Sequence, residues 1–242
     1  MDLCAVADLS KTPHRIAGMF DAIAGRYDLL NHVLSAGIDR GWRKRAIQSL
    51  ALLGGERVLD LCTGTADLAI EAVRARPAAK DVIGVDFAGA MLQVGQGKIA
   101  RRGLAGRVAL VRGDATRIPL GGRSVDAITM AFGIRNVESP SLACREMHRV
   151  VRPGGRIAIL EFAVPTVPGV RALYLWYFNH VLPLIGQLVS RHDAAYEYLP
   201  ASVGAFTSPD EFVKILRQQG FSEVSADPLT FGIVYLYTAR KG

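Results

Sequence analysis

Arg57-Val-Leu-Asp-Leu-Cys-Thr-Gly-Thr-Ala-Asp67, followed about twenty residues later by Val82-Ile-Gly-Val-Asp86, decides how the chain folds. An apolar run that ends in an acidic residue and a Gly-containing turn, then a second run ending in Asp, describes two adjacent parallel strands. Their carboxyl ends form a nucleoside site. A dinucleotide site requires Gly-x-Gly-x-x-Gly, so that backbone amides can close on a pyrophosphate at a helix N-terminus. Here a single glycine, Gly64, stands between Cys62 and Asp67, and the carboxylate of Asp60 precedes it.

A carboxylate beside the turn repels phosphate and suits a cation. S-adenosylmethionine fits that preference, because it carries a sulfonium and an ammonium but no phosphate. Asp60 and Gly64 are therefore candidate cofactor residues, and Asp86 is placed to accept both ribose hydroxyls. An ordinary βαβ unit with a helix-capping Asp is the plainer alternative. Asp114-Ala115, after a third strand, could read the exocyclic amine of adenine, or Asp114 could be a solvated loop residue.

Ile16, Met19, Phe20 and Ile23 mark one face of a helix between Thr12 and about Ser35. Asp39 is expected to cap a second helix that stops at Gly54-Gly55. From Arg57 onward, strands are predicted at 58–62, 82–86, 108–111, 125–131 and 157–161, separated by helices, with Arg152-Pro-Gly-Gly155 as a turn. Residues 165–206 break the alternation, and Leu173 to Ser190 is apolar but interrupted by Asn179, His180, Pro183, Gly186 and Gln187. That run is too broken for a membrane span and reads as helices covering the ligand edge of the sheet. Ser208-Pro-Asp-Glu211 is a capping box, its helix ends at Gly220, and two strands at 221–226 and 233–239 close the chain. The expected fold is α/β, a doubly wound, mostly parallel seven-stranded sheet with N-terminal helices over residues 1–55. The cofactor domain occupies 56–242, with a helical insertion at 165–206 before the last helix.

At 242 residues, half of them apolar, the chain can bury a full core. Cys4, Cys62 and Cys144 are scattered with no Cys-x-x-Cys, and no leader-like segment precedes them. A reducing cytoplasmic setting without disulfides or a zinc site is the expectation. The formal charge of +7 favours anionic partners, either nucleic acid or lipid headgroups. Dispersed basic residues, and the lack of an Asn-Pro-Pro-Tyr-like loop or a Pro-Cys nucleophile, argue against a nucleic-acid methyltransferase. A missing glycine fingerprint argues against a nicotinamide dehydrogenase.

Met19-Phe-Asp-Ala-Ile-Ala-Gly-Arg-Tyr-Asp-Leu-Leu-Asn-His32, Phe132-Gly-Ile-Arg-Asn-Val137, Arg152-Pro-Gly-Gly155, Leu160-Glu-Phe162 and Phe178-Asn-His-Val-Leu-Pro183 carry a resemblance. From about Arg15 to the C-terminus the chain resembles the ubiquinone/menaquinone biosynthesis C-methyltransferases. The resemblance implies a class I methyltransferase fold, with Thr65, Asp86, Asp114, Ala115 and Ala131 lining an S-adenosylmethionine pocket. It departs from the family pattern at Thr63 and Ala66, where glycine is common. It further implies methylation of a ring carbon of a reduced polyprenyl quinol, either demethylmenaquinol or a methoxy-benzoquinol, with a lean toward the former.

Such a ring carbon is a poor nucleophile until a hydroxyl ionises, so the enzyme must favour the quinolate and hold the ring in line with the methyl. On that reading Arg135 stabilises the quinolate and Asn136 orients the ring, although Arg135 could instead pair with Glu138 or Glu161. His180 is a candidate base or a hydrogen-bonded helix residue. Tyr27 and Asp28 are placed to close over the ligand. The apolar segment 173–189, flanked by Arg171 and Arg191, could guide a polyprenyl tail from the bilayer surface. Transient association with the inner face of the membrane follows. A non-catalytic cofactor-binding scaffold is the rival class. The oligomeric state stays open, a homodimer among the options.

Overall fold

Seven strands lie in the order β3-β2-β1-β4-β5-β7-β6 in a computed structural model that describes residues 11–35, 37–75, 77–177, 180 and 193–242. They are β1 (Arg57–Leu61), β2 (Asp81–Asp86), β3 (Val108–Arg112), β4 (Val125–Ala131), β5 (Val151–Phe162), β6 (Phe221–Leu229) and β7 (Val234–Lys241). All neighbours are parallel except around β7, which runs antiparallel to both β5 and β6. The chain leaves β1 in one direction toward β2 and β3, then returns to its other side as β4. The crevice at that reversal, outside the carboxyl ends of β1, β2 and β4, is where such sheets bind ligands.

The helices are α1 (Pro13–Leu34), α2 (Asp39–Ser49), α3 (Asp67–Arg74), α4 (Gly89–Arg101), α5 (Pro140–Val150), α6 (Pro168–Trp176), α7 (Asp193–Gly204) and α8 (Pro209–Gln218). On one face of the sheet, α2 and α3 bury Trp42, Ala46, Ile47, Leu68, Ile70 and Val73 against Val58, Val82 and Leu160. On the other, Met147 of α5 and Phe212 and Leu216 of α8 pack on Leu59, Ile128, Ile157 and Tyr237. Phe20, Ile23, Ala24 and Tyr27 of α1 form a smaller cluster with Ala88 and Met91. Of the N-terminal helices, therefore, α2 belongs to the sheet's own core, whereas α1 lies over the crevice.

Local expectations met tertiary constraints at several points. Asp39 is the first residue of α2 and caps nothing. Its carboxylate accepts from Ser35 Oγ at 2.9 Å and pairs with Arg43. That helix ends at Ser49, with Ala51 turning at φ +46°, before Gly54-Gly55 is reached. Residues 152–155 are not a separate turn but a bulge inside β5: between the pairs Val125↔Val151 and Ala127↔Arg156 one strand advances two residues and the other five. Gly154 takes φ +76° there, and a Cβ on Gly155 would stand 2.7 Å from Asp126 O and 2.9 Å from Arg152 O. The capping box Ser208/Glu211 formed as expected, and Gly220 at φ +93° follows its helix. Of the apolar stretch 173–189, residues 178–179 and 181–189 lie outside the described residues, so only α6 and α7 represent the expected insertion.

Candidate functional site

The β1–α3 turn carries three successive left-handed features: Cys62 at φ +54°, Gly64 at φ +54° and Ala66 at φ +66°. Non-glycine residues in that region are uncommon and cost about 1–3 kcal/mol each unless their surroundings fix them. Asp60 supplies part of the fixing. It is 1% exposed and accepts from Thr63 Oγ1 and, at 2.9 Å, from Thr129 Oγ1. Both departures from glycine in the turn are accommodated by glycines opposite. A Cβ on Gly84 would lie 2.9 Å from Thr63 Oγ1, and one on Gly95 would lie 3.3 Å from the Ala66 Cβ. Larger residues in the turn have been matched by bare backbone on β2 and α4.

Asp60 thus holds the turn from behind, and it also lines a small recess beside the turn. Burial pushes its carboxyl from 3.8 up to about 6, against the threonine hydrogen bonds that lower it. A raised carboxyl binds a proton more tightly in the folded state, so it stabilises the fold below pH 3.8 and loses that contribution as pH rises toward 6. The stability of the parent relative to Asp60→Asn should fall by about 2 kcal/mol between about pH 4 and about pH 7. Urea unfolding of both proteins at the two pH values measures it, and a constant difference would refute the assignment.

In front of the turn lies a solvent-open cleft of about 800 Å³ with its open mouth included. At its β2–β3 end stand Asp86 and Asp114, with Phe87, Met91 and Ala115 as apolar wall. Asp86 Oδ2 accepts from Gly64 N at 2.7 Å and Oδ1 from Ala88 N at 2.8 Å. Burial raises this carboxyl, and the backbone hydrogen bonds oppose the rise. Each oxygen keeps a lone pair for a ribose hydroxyl. Asp114 Oδ1 takes both the backbone N and the hydroxyl of Thr116, at 2.7 and 2.8 Å, which fixes the carboxylate and leaves Oδ2 for an exocyclic amine. Ala115, Gly64 and Ala131 also line the cleft. These residues fit an adenosine.

A smaller recess opens on the other side of the turn, sharing Tyr27, Cys62, Gly64, Ala131 and Phe132 with the cleft. Thr65 borders the recess only, and its hydroxyl donates to Asp28 of α1 while accepting from Lys98 Nζ at 3.2 Å. Lys98 also binds Asp28 at 2.7 Å and Asp67, and Arg43 stands 3.6 Å from Asp67. Thr65 and Asp28 therefore serve as a fastener. Together with Asp21, which accepts from Ala90 N at 2.7 Å, they hold α1 across the crevice.

The acceptor end of the cleft is built by the β4 exit. Phe132 takes φ +59° and stacks on Phe162 with ring centroids 4.4 Å apart. Its carbonyl accepts from Arg135 Nη1 at 2.8 Å and from Asn136 Nδ2 at 3.3 Å. Asn136 lines the cleft, and its Oδ1 accepts from Tyr198 of α7 at 3.1 Å. Arg135 does not line it. Its Nη1 binds Glu161 Oε1 at 2.5 Å, and Glu161 Oε2 accepts the Arg135 backbone N at 3.1 Å. Arg135 is thus paired with Glu161, the second of the two readings its sequence position allowed. Tyr27 borders both cavities; burial raises its phenol, partly offset by a hydrogen bond with Asn31. His180 is exposed, its Nδ1 lies 3.0 Å from Trp176 O, and the structure does not bring it to the cleft. Ile16, Ala17, Phe20 and Lys11 do line it; the periodicity that marks Ile16 and Phe20 registers as core packing, and neither Ala17 nor a lone lysine before a helix gives a signal.

A model of the ubiE/COQ5 methyltransferase family matches residues 8–241. The chain belongs to that family. Among curated relatives it is 45% identical over 233 residues to the ubiquinone/menaquinone biosynthesis C-methyltransferase UbiE of Geobacter sp. (strain M21), covering 96% of this chain and 99% of that one. It is 39% identical over 231 residues to the demethylmenaquinone methyltransferase of Bacteroides fragilis (strain YCH46), covering 96% and 94%. Among solved structures, the [4+2]-cyclase SpnF superposes with a TM-score of 0.69 at 18% identity, over 95% of this chain and 96% of that one. A Thermotoga maritima S-adenosylmethionine-dependent methyltransferase, described as a possible histamine N-methyltransferase, gives 0.64 at 18% identity, over 94% and 100%. At those identities the likeness concerns the fold. As a ubiE/COQ5 family member with this nucleoside site, the protein is an S-adenosylmethionine-dependent methyltransferase.

Proposed function

We propose that the protein methylates a ring carbon of a reduced polyprenyl quinone, with demethylmenaquinol as its acceptor. The observation that carries this reading is one continuous cleft. At one end are the carboxylates suited to adenosine, at the other Phe132 and Asn136 of the β4 exit, and Ile16, Ala17 and Phe20 of α1 give the same cleft an apolar lining. When bound, S-adenosylmethionine supplies an electrophilic methyl on its sulfonium.

The chain's own groups supply position and environment. Phe132, Tyr27 and the α1 side chains exclude water and confine the ring. Asn136 is fixed at both ends of its amide, so it presents an ordered edge to the acceptor. With a methyl donor bound, the acceptor hydroxyl would give up a proton, the ring carbon that takes the methyl would give up its hydrogen as a second proton, and the ring oxygen would regain one, so that one proton is released overall. Holding the partners at near-attack distance supplies several kcal/mol.

No helix among the described residues is long and apolar enough to cross a membrane. The polyprenyl tail is received instead at a membrane surface, where α6 exposes Leu173, Leu175 and Trp176 beside Arg171. The test is to incubate the protein and labelled S-adenosylmethionine with anionic vesicles carrying demethylmenaquinol or the methoxy-benzoquinol, each reduced or oxidised. Mass analysis should find methylated menaquinol, from the reduced acceptor only, with vesicle binding that weakens in salt. Methylation of the benzoquinol alone would overturn the choice of ring.

A further inference from the structure

The mechanism above needs a positive charge near the ionising hydroxyl, and Arg135 does not provide one, because Glu161 neutralises it. Among the described residues that line the cleft there is one cation, Lys11, just ahead of α1. It is half-buried, and Ile16, Ala17 and Phe20 of α1 and Val137 and Glu138 of the β4 exit line the same cavity. The other acids in the lining, Asp86 and Asp114, belong to the nucleoside end.

We infer that Lys11 is the cation that faces the acceptor's ionising hydroxyl and stabilises the quinolate, an assignment that rests on the quinol reading above. Three features support it. Lys11 shares the lining of the cleft with Phe132, Asn136, Val137 and Glu138 of the β4 exit, and the charges that act on it are those of Glu161 and Arg135 behind that exit. Burial is the main influence on its pKa and lowers it, as expected for an ammonium drawn out of water into an apolar wall. Such a group gains free energy when an oxyanion forms beside it, and in a water-poor site that gain is larger than in solvent. Lys11 also borders only the cleft, not the recess beyond the turn. In the step it assists, the hydroxyl proton passes to solvent water while Lys11 keeps its own protons, so the residue acts by charge and not as a base.

The experiment uses the full chain with saturating S-adenosylhomocysteine and 1-naphthol as the probe, whose ionisation is read by absorbance. Bound naphthol should ionise about one pH unit lower in the parent and in Lys11→Arg than in Lys11→Met, a tenfold shift in the equilibrium. With demethylmenaquinol, Lys11→Met should lose about 10–100-fold in kcat with little change in KM, and Arg should restore most of it. Affinity for S-adenosylmethionine, measured by equilibrium dialysis, should be the same in all three proteins, which also shows that the variants fold. Identical naphthol ionisation in parent and Lys11→Met would overturn the inference, as would a loss of donor affinity, which would place Lys11 on the cofactor. A parent that shifts the probe but methylates no quinol would leave Lys11 as an oxyanion site and overturn the substrate reading instead.

Discussion

Replacing Arg135 by Met is expected to cost about 3–5 kcal/mol of stability, more than any other single change in the acceptor end of the cleft. The reason is what it leaves behind. Glu161 has a side chain 0% exposed, and Arg135, at 7%, is its only counter-charge in the pair. Removing one partner of a buried ion pair strands the other. The carboxylate would still accept from the backbone N of Arg135 and Phe162, at 3.1 and 2.8 Å, but those amides carry no full charge. Loss of Nη1 also leaves the carbonyl of Phe132 with Asn136 Nδ2 as its side-chain donor, and so weakens the hold on its φ of +59°, which the stack on Phe162 shares.

Turnover should therefore collapse together with stability in Arg135→Met. In the double variant Arg135→Met/Glu161→Gln, where neither member of the pair carries a charge, most of the stability should return. Urea denaturation of the two single variants and the double closes the cycle. A single variant that unfolds at the same urea concentration as the parent would refute the pairing. A double variant as stable as the parent yet inactive would return Arg135 to the chemistry.

The second large effect is on the methyl donor. Asp86→Ala should weaken S-adenosylmethionine binding by about 100-fold or more, because two losses coincide. The ribose loses a charged acceptor, and a hydrogen bond to a charged group contributes about 1.5–3 kcal/mol. The turn also loses the carboxylate that ties Gly64 N to Ala88 N, so the left-handed Gly64 is no longer clamped against β2. Asp86→Asn should fall between parent and Ala, since its amide keeps one acceptor and misplaces a donor. Calorimetric titration with S-adenosylmethionine measures both, and an Asp86→Ala protein that binds within threefold of the parent would exclude Asp86 from the ribose site. Overall folding should survive, as Asp86 is at the rim of the sheet and not in its core.

Much of this architecture was legible before any coordinates. The runs at 58–62, 82–86 and 125–131 each end in a turn or an acidic residue, and the helices between them have apolar faces, so a parallel sheet with its cleft at the strand tips followed. The capping box at Ser208 was equally plain, because its partners are three residues apart. Asp86 and Asp114 were legible for a related reason: a strand tip fixes where the next side chain points. The limits appear where a side chain chooses among distant partners. Arg135 could pair with Glu138 nearby or Glu161 across the sheet, and only the parallel pairing of β4 with β5 brings Glu161 alongside. His180 had the right chemistry and the wrong location. Thr65 had the right location, but Asp28 and Lys98 claim its hydroxyl through the packing of α1 on α4.

By itself, then, the sequence determined the layers, the strand tips and the cation-tolerant nucleoside site, because these depend on periodicity and on turn residues close together along the chain. Tertiary structure alone decided which acids and bases face the cleft and which neutralise one another. Burial makes every charge seek a partner, and the nearest partner in space is set by how strands and helices pack, not by how far apart the residues lie in the chain.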